Sequence, residues 1–573
     1  MDSPWRAALY SPSSACEVAT YQFLEPEQLE SEIKDLAHFT KSISLTPYDP
    51  ELWLNRAHCL RLLGYPELGL GDAYKARLLV EATLETPGST LGTNALQTFA
   101  KKIYIQHMTD PAWSQWKSRV STSALLKARS LDMLKRLEAH IWTELMEGLI
   151  ASNCCGDYLK LSKEAVLKFP DDEVFPSDVA NAESWYQQRV DILQAQVDEG
   201  DMTVVQMQTT LDNGGVYPTP YPWMTEALLV RDDNLIQSIK EEFTLASTNC
   251  TVFKSTLRNA KEMTEFDVLG VIASKDISSE DTVVIDRTPA GAISNVDRCE
   301  ACCAALPSTK TTIPCCSALY CSEQCSETAL QNYHTSVCGK DFAFLHDAAK
   351  SADHTADFSL DALLLLRVLA LSLQEDATHP LQTSIIQRLT PAYSMPEPQL
   401  IIFNFADHIV TPILTLRELG VDIFSNPLYD TWVLHTMRCR IQNNKHGATL
   451  DEFVGSAISP LYSMFNHSCS PNVDWRHDDY SSTVTLFATR DIKEGEEMCI
   501  SYIKGAEMGR KERQRALLTW LGMECGCQRC TEEKALEKNT SDEDVESGRN
   551  ESGGTGEQHE VKAVAEQLDH LRI

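Results

Sequence analysis

Long apolar runs are absent from this sequence, although hydrophobic residues make up 43% of it. No stretch approaches the roughly 20 consecutive apolar residues that a membrane helix needs. The first residues, MDSPWRAALYSPSSACEVA, have neither the basic start nor the apolar core of a secretory signal. We therefore expect an intracellular protein, in the nucleus or the cytoplasm, that has no membrane partner.

Positive charge is also scarce, because 50 Lys and Arg residues face 82 Asp and Glu residues and leave a net charge of −32. A surface of this sign repels the phosphate backbone, so we expect no direct nucleic-acid partner. It attracts basic segments of other proteins. The alternative is that the charge serves only to keep the protein soluble.

Cysteine, by contrast, is abundant, with 19 residues, and twelve of them are clustered. They are Cys299, Cys302, Cys303, Cys315, Cys316, Cys321, Cys325, Cys338, Cys469, Cys525, Cys527 and Cys530. Disulfides are rare in a reducing compartment. Closely spaced cysteines in such a compartment indicate metal binding instead. The remaining, scattered cysteines are expected to be ordinary buried thiols.

The amino-terminal part of the chain, from about residue 15 to about residue 240, has the hydrophobic pattern of helices. Its clearest piece is PYDPELWLNRAHCLRLLGYPELGLGDAYKARLL, which begins at Pro47. We predict tetratricopeptide-like repeats within residues 1–250, which would offer a surface to protein partners; a generic helical domain is the alternative. The residues at the helix-contact positions of such a repeat of roughly 34 residues are Trp53, Ala57, Leu60, Gly64, Gly69, Ala73 and Ala76.

Three segments in the second half carry a family resemblance. They are VLGVIASKDI from Val268, FNHSCSPNVDW from Phe465, and EEMCISY, which ends at Tyr502. They resemble the opening strand, the signature motif and the closing tyrosine of SET-domain lysine methyltransferases. The resemblance implies transfer of a methyl group from S-adenosylmethionine to a protein lysine, with histones or other basic proteins as substrates.

The chemistry of this reaction explains why a tyrosine is needed. Methyl transfer from a sulfonium is an in-line displacement, so the lysine amine must be aligned with the methyl carbon. The amine must also be neutral, although its reference pKa is about 10.4, and a narrow apolar channel lowers that value. A hydroxyl at the channel end can hydrogen-bond the amine, and Tyr502 is our candidate. The resemblance implies cofactor contacts from Gly270, Asn444, Asn466, His467 and Met523.

The sequence also predicts a metal site after the closing tyrosine, Tyr502. Cys525, Cys527 and Cys530 supply three thiolates, one fewer than a tetrahedral zinc site takes. In the SET family the fourth ligand comes from the signature motif, which implies Cys469 here. Zinc would then hold this post-SET segment over the active site. A separate finger or unliganded thiols are the alternatives.

The segment CEACCAALPSTKTTIPCCSALYCSEQCSETALQNYHTSVC resembles a MYND zinc finger, which binds two zinc ions and contacts protein. The second site takes His334 and Cys338 with two further thiols. Either Cys315 and Cys316 both bind, or Cys303 contributes. With the post-SET site, about three zinc ions are expected per chain. The ligands of the first site would be Cys299, Cys302, Cys321 and Cys325.

Together these features predict an α+β protein that resembles the SET and MYND lysine methyltransferases, in a branch with amino-terminal repeats. The predicted parts are a helical repeat domain (1–250), a SET domain (258–504) with a MYND insert (299–338) and a helical insert (342–437), a post-SET zinc segment (505–535), and an acidic, largely disordered tail (536–573).

The rival hypothesis is a catalytically inactive adaptor that binds proteins through its repeats and its finger. Three positions depart from the family pattern. Val268 stands where the opening turn usually has glycine, and a β-branched side chain there crowds the close approach of backbone. Met523 stands where an aromatic residue is often found, and His446 replaces a usual phenylalanine.

Overall fold

The structure is a computed structural model. It describes residues 4–14, 24–107, 122–262, 264–293, 297–346, 357–375, 377–397, 399–450, 453–477, 481–504 and 507–547. None of the described helices is both long enough and apolar enough to span a lipid bilayer.

Helices dominate the first two hundred residues and recur after the sheets. Those of four or more residues are Pro26–Leu45, Pro50–Leu62, Pro66–Leu84, Thr90–His107, Thr122–Ala151, Cys155–Lys168, Phe175–Glu199, Val204–Asp212, Glu226–Leu229, Asp233–Ala246, Glu323–Asn332, His334–Val337, Asp357–Glu375, Ser384–Gln387, Ala406–Val410 (a π-helix), Thr411–Glu418, Thr431–Asn444, Arg510–Leu521 and Gln528–Ser547.

Strands concentrate between residues 250 and 500. They are β1 (Gly214–Val216), β2 (Cys250–Arg258), β3 (Glu265–Ala273), β4 (Thr282–Asp286), β5 (Gly291–Ile293), β6 (Thr311–Thr312), β7 (Leu319–Tyr320), β8 (Ile401–Phe403), β9 (Lys445–Leu450), β10 (Phe453–Ile458), β11 (Asn466–His467), β12 (Val473–His477), β13 (Val484–Ala488) and β14 (Glu497–Ile500). The mixture of helix and sheet confirms the predicted α+β class at this coarse level.

The chain divides into two compact units. Unit one contains residues 1–225 and 400–435, and unit two contains residues 226–399 and 436–573. The segment 400–435, predicted as part of an insert between SET segments, is therefore found in unit one.

Unit one is built from helices that pack closely because small residues lie where two of them meet. Asp49 is the N-cap of the helix Pro50–Leu62, and its side chain accepts a hydrogen bond from the Glu51 N–H. It packs against the helix Pro66–Leu84. A Cβ on Gly69 would stand 2.9 Å from the Ala57 carbonyl oxygen. Glycine is required there, since any side chain would push the two helices apart.

A buried ion-pair network also lies inside unit one. Arg56 donates to Asp72 (2.6 Å) and to Asp430 (2.9 Å), and Lys75 donates to Asp430 at 2.7 Å. All four side chains are almost fully buried. Each charge has partners of the opposite sign, which offsets the cost of removing it from water.

Unit two contains the sheets that carry the predicted motif. One sheet has the strand order β11-β14-β3-β2, and a second has the order β12-β13-β4. Their apolar side chains form one core that includes Val271, Val284, Phe465 and Leu486. β3 and β4 follow each other in sequence but lie in different sheets.

The carboxyl-terminal region is helical beyond the cysteines. The helix Gln528–Ser547 extends into the segment predicted as a disordered tail. Residues 548–573 of that predicted tail lie outside the described residues.

Candidate active site

A cavity of about 910 Å³ opens in unit two. Its volume is within the usual range for a site that binds a small molecule, about 300–1,000 Å³. Of the residues predicted to contact cofactor or substrate, four line it: Asn444, Asn466, Tyr502 and Met523. The same wall also carries Val268.

Strand pairing brings the motif and the tyrosine together. β11 runs parallel to β14, so that Asn466 pairs with Cys499 and His467 pairs with Ile500. Tyr502 follows two residues after β14 ends. Residues far apart in sequence therefore meet at one end of this sheet.

The Asn466 side chain is oriented by a hydrogen bond to a second side chain. Its Nδ2 donates to Glu497 Oε1 at 2.9 Å, and the Ser255 hydroxyl donates to the same oxygen at 2.8 Å. A Cβ on Gly270 would stand 2.8 Å from Asn466 Nδ2 and 2.6 Å from Glu497 Oε1. Gly270 does not line the cavity; it leaves the room in which this hydrogen bond forms.

His467 lies behind the cavity wall and is not one of the residues that line it. Its Nδ1 accepts the Tyr502 N–H at 3.0 Å, and its Nε2 lies 3.2 Å from Cys469 Sγ. Because Nδ1 accepts, the ring proton belongs on Nε2, facing the sulfur. Burial lowers the pKa of His467 to about 4. The neutral ring thus joins the backbone of Tyr502 to the cysteine cluster.

Tyr502 is fixed at both ends. Its hydroxyl donates to the Phe465 carbonyl oxygen at 2.8 Å, and its N–H is held by His467. Burial raises the pKa of its phenol above the ordinary value, so the group stays protonated at neutral pH. With its proton donated to Phe465, the phenol oxygen keeps lone pairs that can accept an N–H from an amine.

An aromatic wall lines another part of the cavity. The His446 ring lies 4.8 Å from the Tyr462 ring, Tyr462 lies 5.2 Å from Trp475, and Trp475 lies 5.5 Å from His477. Burial, with a smaller contribution from the charge of His477, lowers the pKa of His446 to about 3. The His446 side chain is therefore uncharged at neutral pH, and it stands at the position where the family usually has phenylalanine.

Met523 is positioned by a helix end. Gly522 is the C-cap of the helix Arg510–Leu521 and has a φ of +57°. A Cβ on Gly522 would stand 2.6 Å from Met395 Cβ, so a larger residue does not fit there. Met523 then packs with Leu517, Leu521 and Tyr502 in a small core. The post-SET segment thus contributes directly to the cavity wall.

Three groups of cysteine and histidine side chains each converge on one point, with all ligand atoms within 4.8 Å of one another. Sulfur atoms 3.5–3.6 Å apart fit the edge of a zinc tetrahedron, which is about 3.8 Å for a Zn–S bond of about 2.3 Å. The described cysteines are all free thiols. The groups are Cys299, Cys302, Cys321 and Cys325; Cys315, Cys316, His334 and Cys338; and Cys469, Cys525, Cys527 and Cys530.

The second group contains the two adjacent thiols, Cys315 and Cys316, for which the sequence left alternatives open. Both adjacent thiols take part, since His334 Nε2 lies 3.3 Å from Cys315 Sγ and 3.6 Å from Cys316 Sγ. His334 Nδ1 lies 3.2 Å from the Tyr320 hydroxyl, a partner that orients the ring toward the sulfurs. Cys303 is not a member of the group. It is buried with a φ of +63°.

A cluster of carboxylates in unit one has a different purpose. Glu81, Glu85 and Glu138 converge, but Lys168 Nζ lies among them, 2.8 Å from Glu138 and 3.3 Å from Glu85. The lysine supplies the positive charge there, so this cluster is an ion-pair group and not a metal site.

The comparison with protein families decides the identity of this region, because residues 268–503 match the SET domain. The chain carries a SET domain. The match begins at Val268 and ends one residue after Tyr502, so it includes the motif, β14, most of β3 and the aromatic wall. β2, the edge strand of the same sheet, lies before it. The prediction that the chain contains a SET domain is thereby confirmed, and its bounds, 258–504 with two inserts, stay a prediction.

Curated proteins with similar sequences are named as lysine methyltransferases. Histone-lysine N-methyltransferase ATXR2 of Arabidopsis thaliana is 42% identical over 83 residues, which is 14% of this chain and 17% of that protein. Histone-lysine N-methyltransferase set5 of Schizosaccharomyces pombe is 38% identical over 94 residues, 16% of this chain and 29% of that protein. Protein-lysine N-trimethyltransferase SMYD5 of Mus musculus is 24% identical over 285 residues, 40% of this chain and 68% of that protein. The alignments with the first two span less than a third of those proteins.

Some residues of the SET-domain cavity were not anticipated from the motifs. Trp475 is the last residue of the motif segment FNHSCSPNVDW. Its large aromatic side chain was the one feature from which a place in the cavity wall could have been predicted. Tyr462 precedes the motif by a few residues and carries no such signal. Arg231 also lines the cavity, although it lies outside the matched residues. Only tertiary packing brings it there.

Proposed function

We propose that this chain is an S-adenosylmethionine-dependent protein-lysine N-methyltransferase. The observation that carries the proposal is the convergence of Asn466, Tyr502 and Met523 on one cavity inside a SET domain. The names of the similar proteins support the same reaction.

The cavity residues account for the demands of the reaction. When bound, the cofactor supplies an electrophilic methyl group. The aromatic wall excludes water from the lysine side chain, which favours the neutral amine. The Tyr502 oxygen accepts an amine N–H and so directs the nitrogen lone pair toward the methyl carbon. Phe465 and His467 keep the tyrosine in place while this happens.

The residues present also fit the cofactor. Asn444 and Asn466 offer amide groups to its polar ends, and Met523 offers an apolar surface. Gly270 and His467 act indirectly in this proposal: Gly270 leaves room for Asn466, and His467 holds Tyr502. This differs from the expectation that both contact the cofactor themselves.

The three cysteine-rich groups are proposed to bind zinc, about three ions per chain. The group at Cys469 would fix the post-SET segment, and with it Met523, to the motif. Residues 299–338 would form a MYND-type finger with two zinc ions, and the helices of residues 1–250 would form tetratricopeptide-like repeats; both are proposed to contact protein partners. The free thiols fit a reducing compartment, the nucleus or the cytoplasm.

The proposed substrates are basic protein segments, including histone tails. The net charge of −32 favours such segments over acidic ones. Two of the similar proteins, ATXR2 and set5, are named as histone-lysine methyltransferases.

Calorimetric titration of the purified chain with S-adenosylmethionine separates this proposal from an inactive adaptor. Val268 lies on the cavity wall, yet about 910 Å³ remains open beside it. We therefore expect binding, and Val268→Gly should strengthen it only slightly. No detectable binding by the wild type, with restoration by Val268→Gly, would favour the adaptor.

A further inference from the structure

Arg231 is a cation on the wall of the active-site cavity, and no carboxylate among the described residues pairs with it. It lies between the helices Glu226–Leu229 and Asp233–Ala246, outside the residues that match the SET domain. Its guanidinium donates to the Thr390 hydroxyl. Within the described part of the chain, Arg231 forms no ion pair with an Asp or Glu.

The guanidinium of Arg440 lies close enough to Arg231 for its charge to lower the pKa of Arg231. Arg440 donates to three backbone carbonyls, those of Leu381 and Ile386 at 3.0 Å each and that of Leu228 at 2.7 Å. Burial and the charge of Arg440 together lower the pKa of Arg231 to about 10. Both guanidinium groups are charged at neutral pH, and neither desolvation nor Arg440, the two causes that act on Arg231, supplies a negative charge to it. Such charge is costly unless an anion joins it.

The cation is attached to the same wall as the predicted cofactor asparagine. The Thr390 carbonyl accepts from Asn443 Nδ2 at 2.9 Å and from Asn444 Nδ2 at 2.8 Å, while the Thr390 hydroxyl accepts from Arg231. Asn444 Nδ2 also donates to the Arg440 carbonyl at 2.8 Å. Thr390 thus connects the guanidinium to both amides, and Arg231, Thr390, Asn443 and Asn444 all line the cavity.

We propose that Arg231 binds a carboxylate in this cavity, and that this carboxylate is the amino-acid end of the cofactor. The assignment rests on the proposed function. A guanidinium is suited to a carboxylate because its planar N–H groups match the two oxygens. An acidic side chain beside the target lysine offers the same chemistry, so the test separates the two sources.

The first measurement needs no variant. S-adenosylhomocysteine and its decarboxylated analogue are titrated into the wild-type chain by calorimetry. A charge-assisted hydrogen bond lost from a buried site corresponds to roughly a 10- to 100-fold weaker affinity. We expect the wild type to prefer S-adenosylhomocysteine by that factor.

Arg231→Gln should lower this preference to within about threefold by weakening S-adenosylhomocysteine alone, and Arg231→Lys should keep part of it. Arg490→Gln, on an exposed arginine outside the cavity, is the matched control and should behave as the wild type. Thermal unfolding of each variant checks its fold.

The second measurement uses pairs of lysine peptides that differ only by Glu or Gln beside the lysine. If Arg231→Gln keeps the cofactor preference but loses a wild-type preference for the Glu peptides, the carboxylate belongs to the substrate and the site stands. Equal wild-type binding of both nucleosides, with no Glu preference, overturns the site alone. A wild type that binds neither nucleoside overturns the proposed function and the site with it.

Discussion

At the scale of single residues, the active site depends on side chains that are each held by a second side chain or backbone group. Tyr502 is held by Phe465 and His467, and Asn466 is held by Glu497. Fixed groups lose little entropy when the substrate binds, which is how positioning contributes to the rate.

Tyr502→Phe removes one hydroxyl and almost no volume. If that oxygen orients the amine, methyl transfer should fall by about 10- to 1000-fold, which is about 1.4–4 kcal/mol of barrier. Cofactor affinity should change little, because other residues bind the cofactor. A transfer assay and calorimetry on the same sample measure both. Tyr217→Phe, on an exposed tyrosine of unit one, is the control. Equal transfer by the wild type and Tyr502→Phe would mean that the hydroxyl has no catalytic part.

Asn466→Ala should have the opposite profile. Loss of the amide should weaken cofactor binding by about tenfold, roughly 1.4 kcal/mol, before any effect on the chemical step. Glu497→Gln is the matched control, because its Oε1 can still accept from Asn466 and Ser255. Calorimetry compares the three proteins. Unchanged affinity in Asn466→Ala would exclude this side chain from the cofactor site.

Glu67, in unit one, should make folding stability depend on pH. Its buried carboxylate accepts from Ser13 and Tyr221, and burial raises its pKa from 4.5 to about 7. The folded state therefore keeps a proton that the unfolded state releases between these values, so stability falls as the pH rises through that window, by on the order of 3 kcal/mol.

Glu67→Gln should remove this part of the pH dependence. Thermal unfolding of both proteins between pH 4.5 and 8 measures it, and Glu30→Gln, an exposed carboxylate of unit one, serves as the control. Parallel pH profiles for the wild type and Glu67→Gln would contradict the account.

At the scale of elements, the cysteine groups that are proposed to bind zinc connect strands and helices to the candidate active site. The cluster at Cys469 ties β11 to the start of the helix Gln528–Ser547, and His467 extends this connection to Tyr502. Loss of the proposed zinc ion should therefore disturb the cavity, although the proposed ligands have no part in the proposed chemistry.

Cys527→Ser should lower the zinc content from about three ions per chain to about two and reduce methyl transfer by tenfold or more. The helices of unit one should stay folded. Elemental analysis, circular dichroism and the transfer assay are measured side by side. Cys499→Ser is the control, since Cys499 belongs to none of the three groups. Full activity with one zinc lost would separate the post-SET segment from the site.

Elements also show what the sequence can predict. The grouping of Cys525, Cys527 and Cys530 was predictable because the three lie in one short segment, where spacing limits which thiols can meet. Cys469 is distant in sequence, and only the family resemblance implied it. The adjacent pair Cys315 and Cys316 left two possibilities, and in the structure both sulfurs lie beside His334 Nε2. The roles of Gly270 and His467 could not be predicted, because they depend on packing between strands.

At the scale of the whole molecule, the division of the chain into unit one and unit two does not follow from local sequence patterns. Residues 400–435 follow a helix of unit two in sequence but belong to unit one. There Asp430 completes the ion pairs of Arg56 and Lys75. Arg231 is a similar case, since it enters the cavity from outside the SET match. Contacts between distant segments carry no periodic signal in either one.

The central claim is that this chain methylates protein lysine. The most direct test incubates the purified protein with S-adenosylmethionine that has a deuterated methyl group and with a basic protein extract that includes histones. Tandem mass spectrometry then locates the label. We predict deuterated methyl groups on lysine with the wild type and about 10- to 1000-fold less with Tyr502→Phe. Absence of label from every lysine, in a protein that binds the cofactor, would contradict the account.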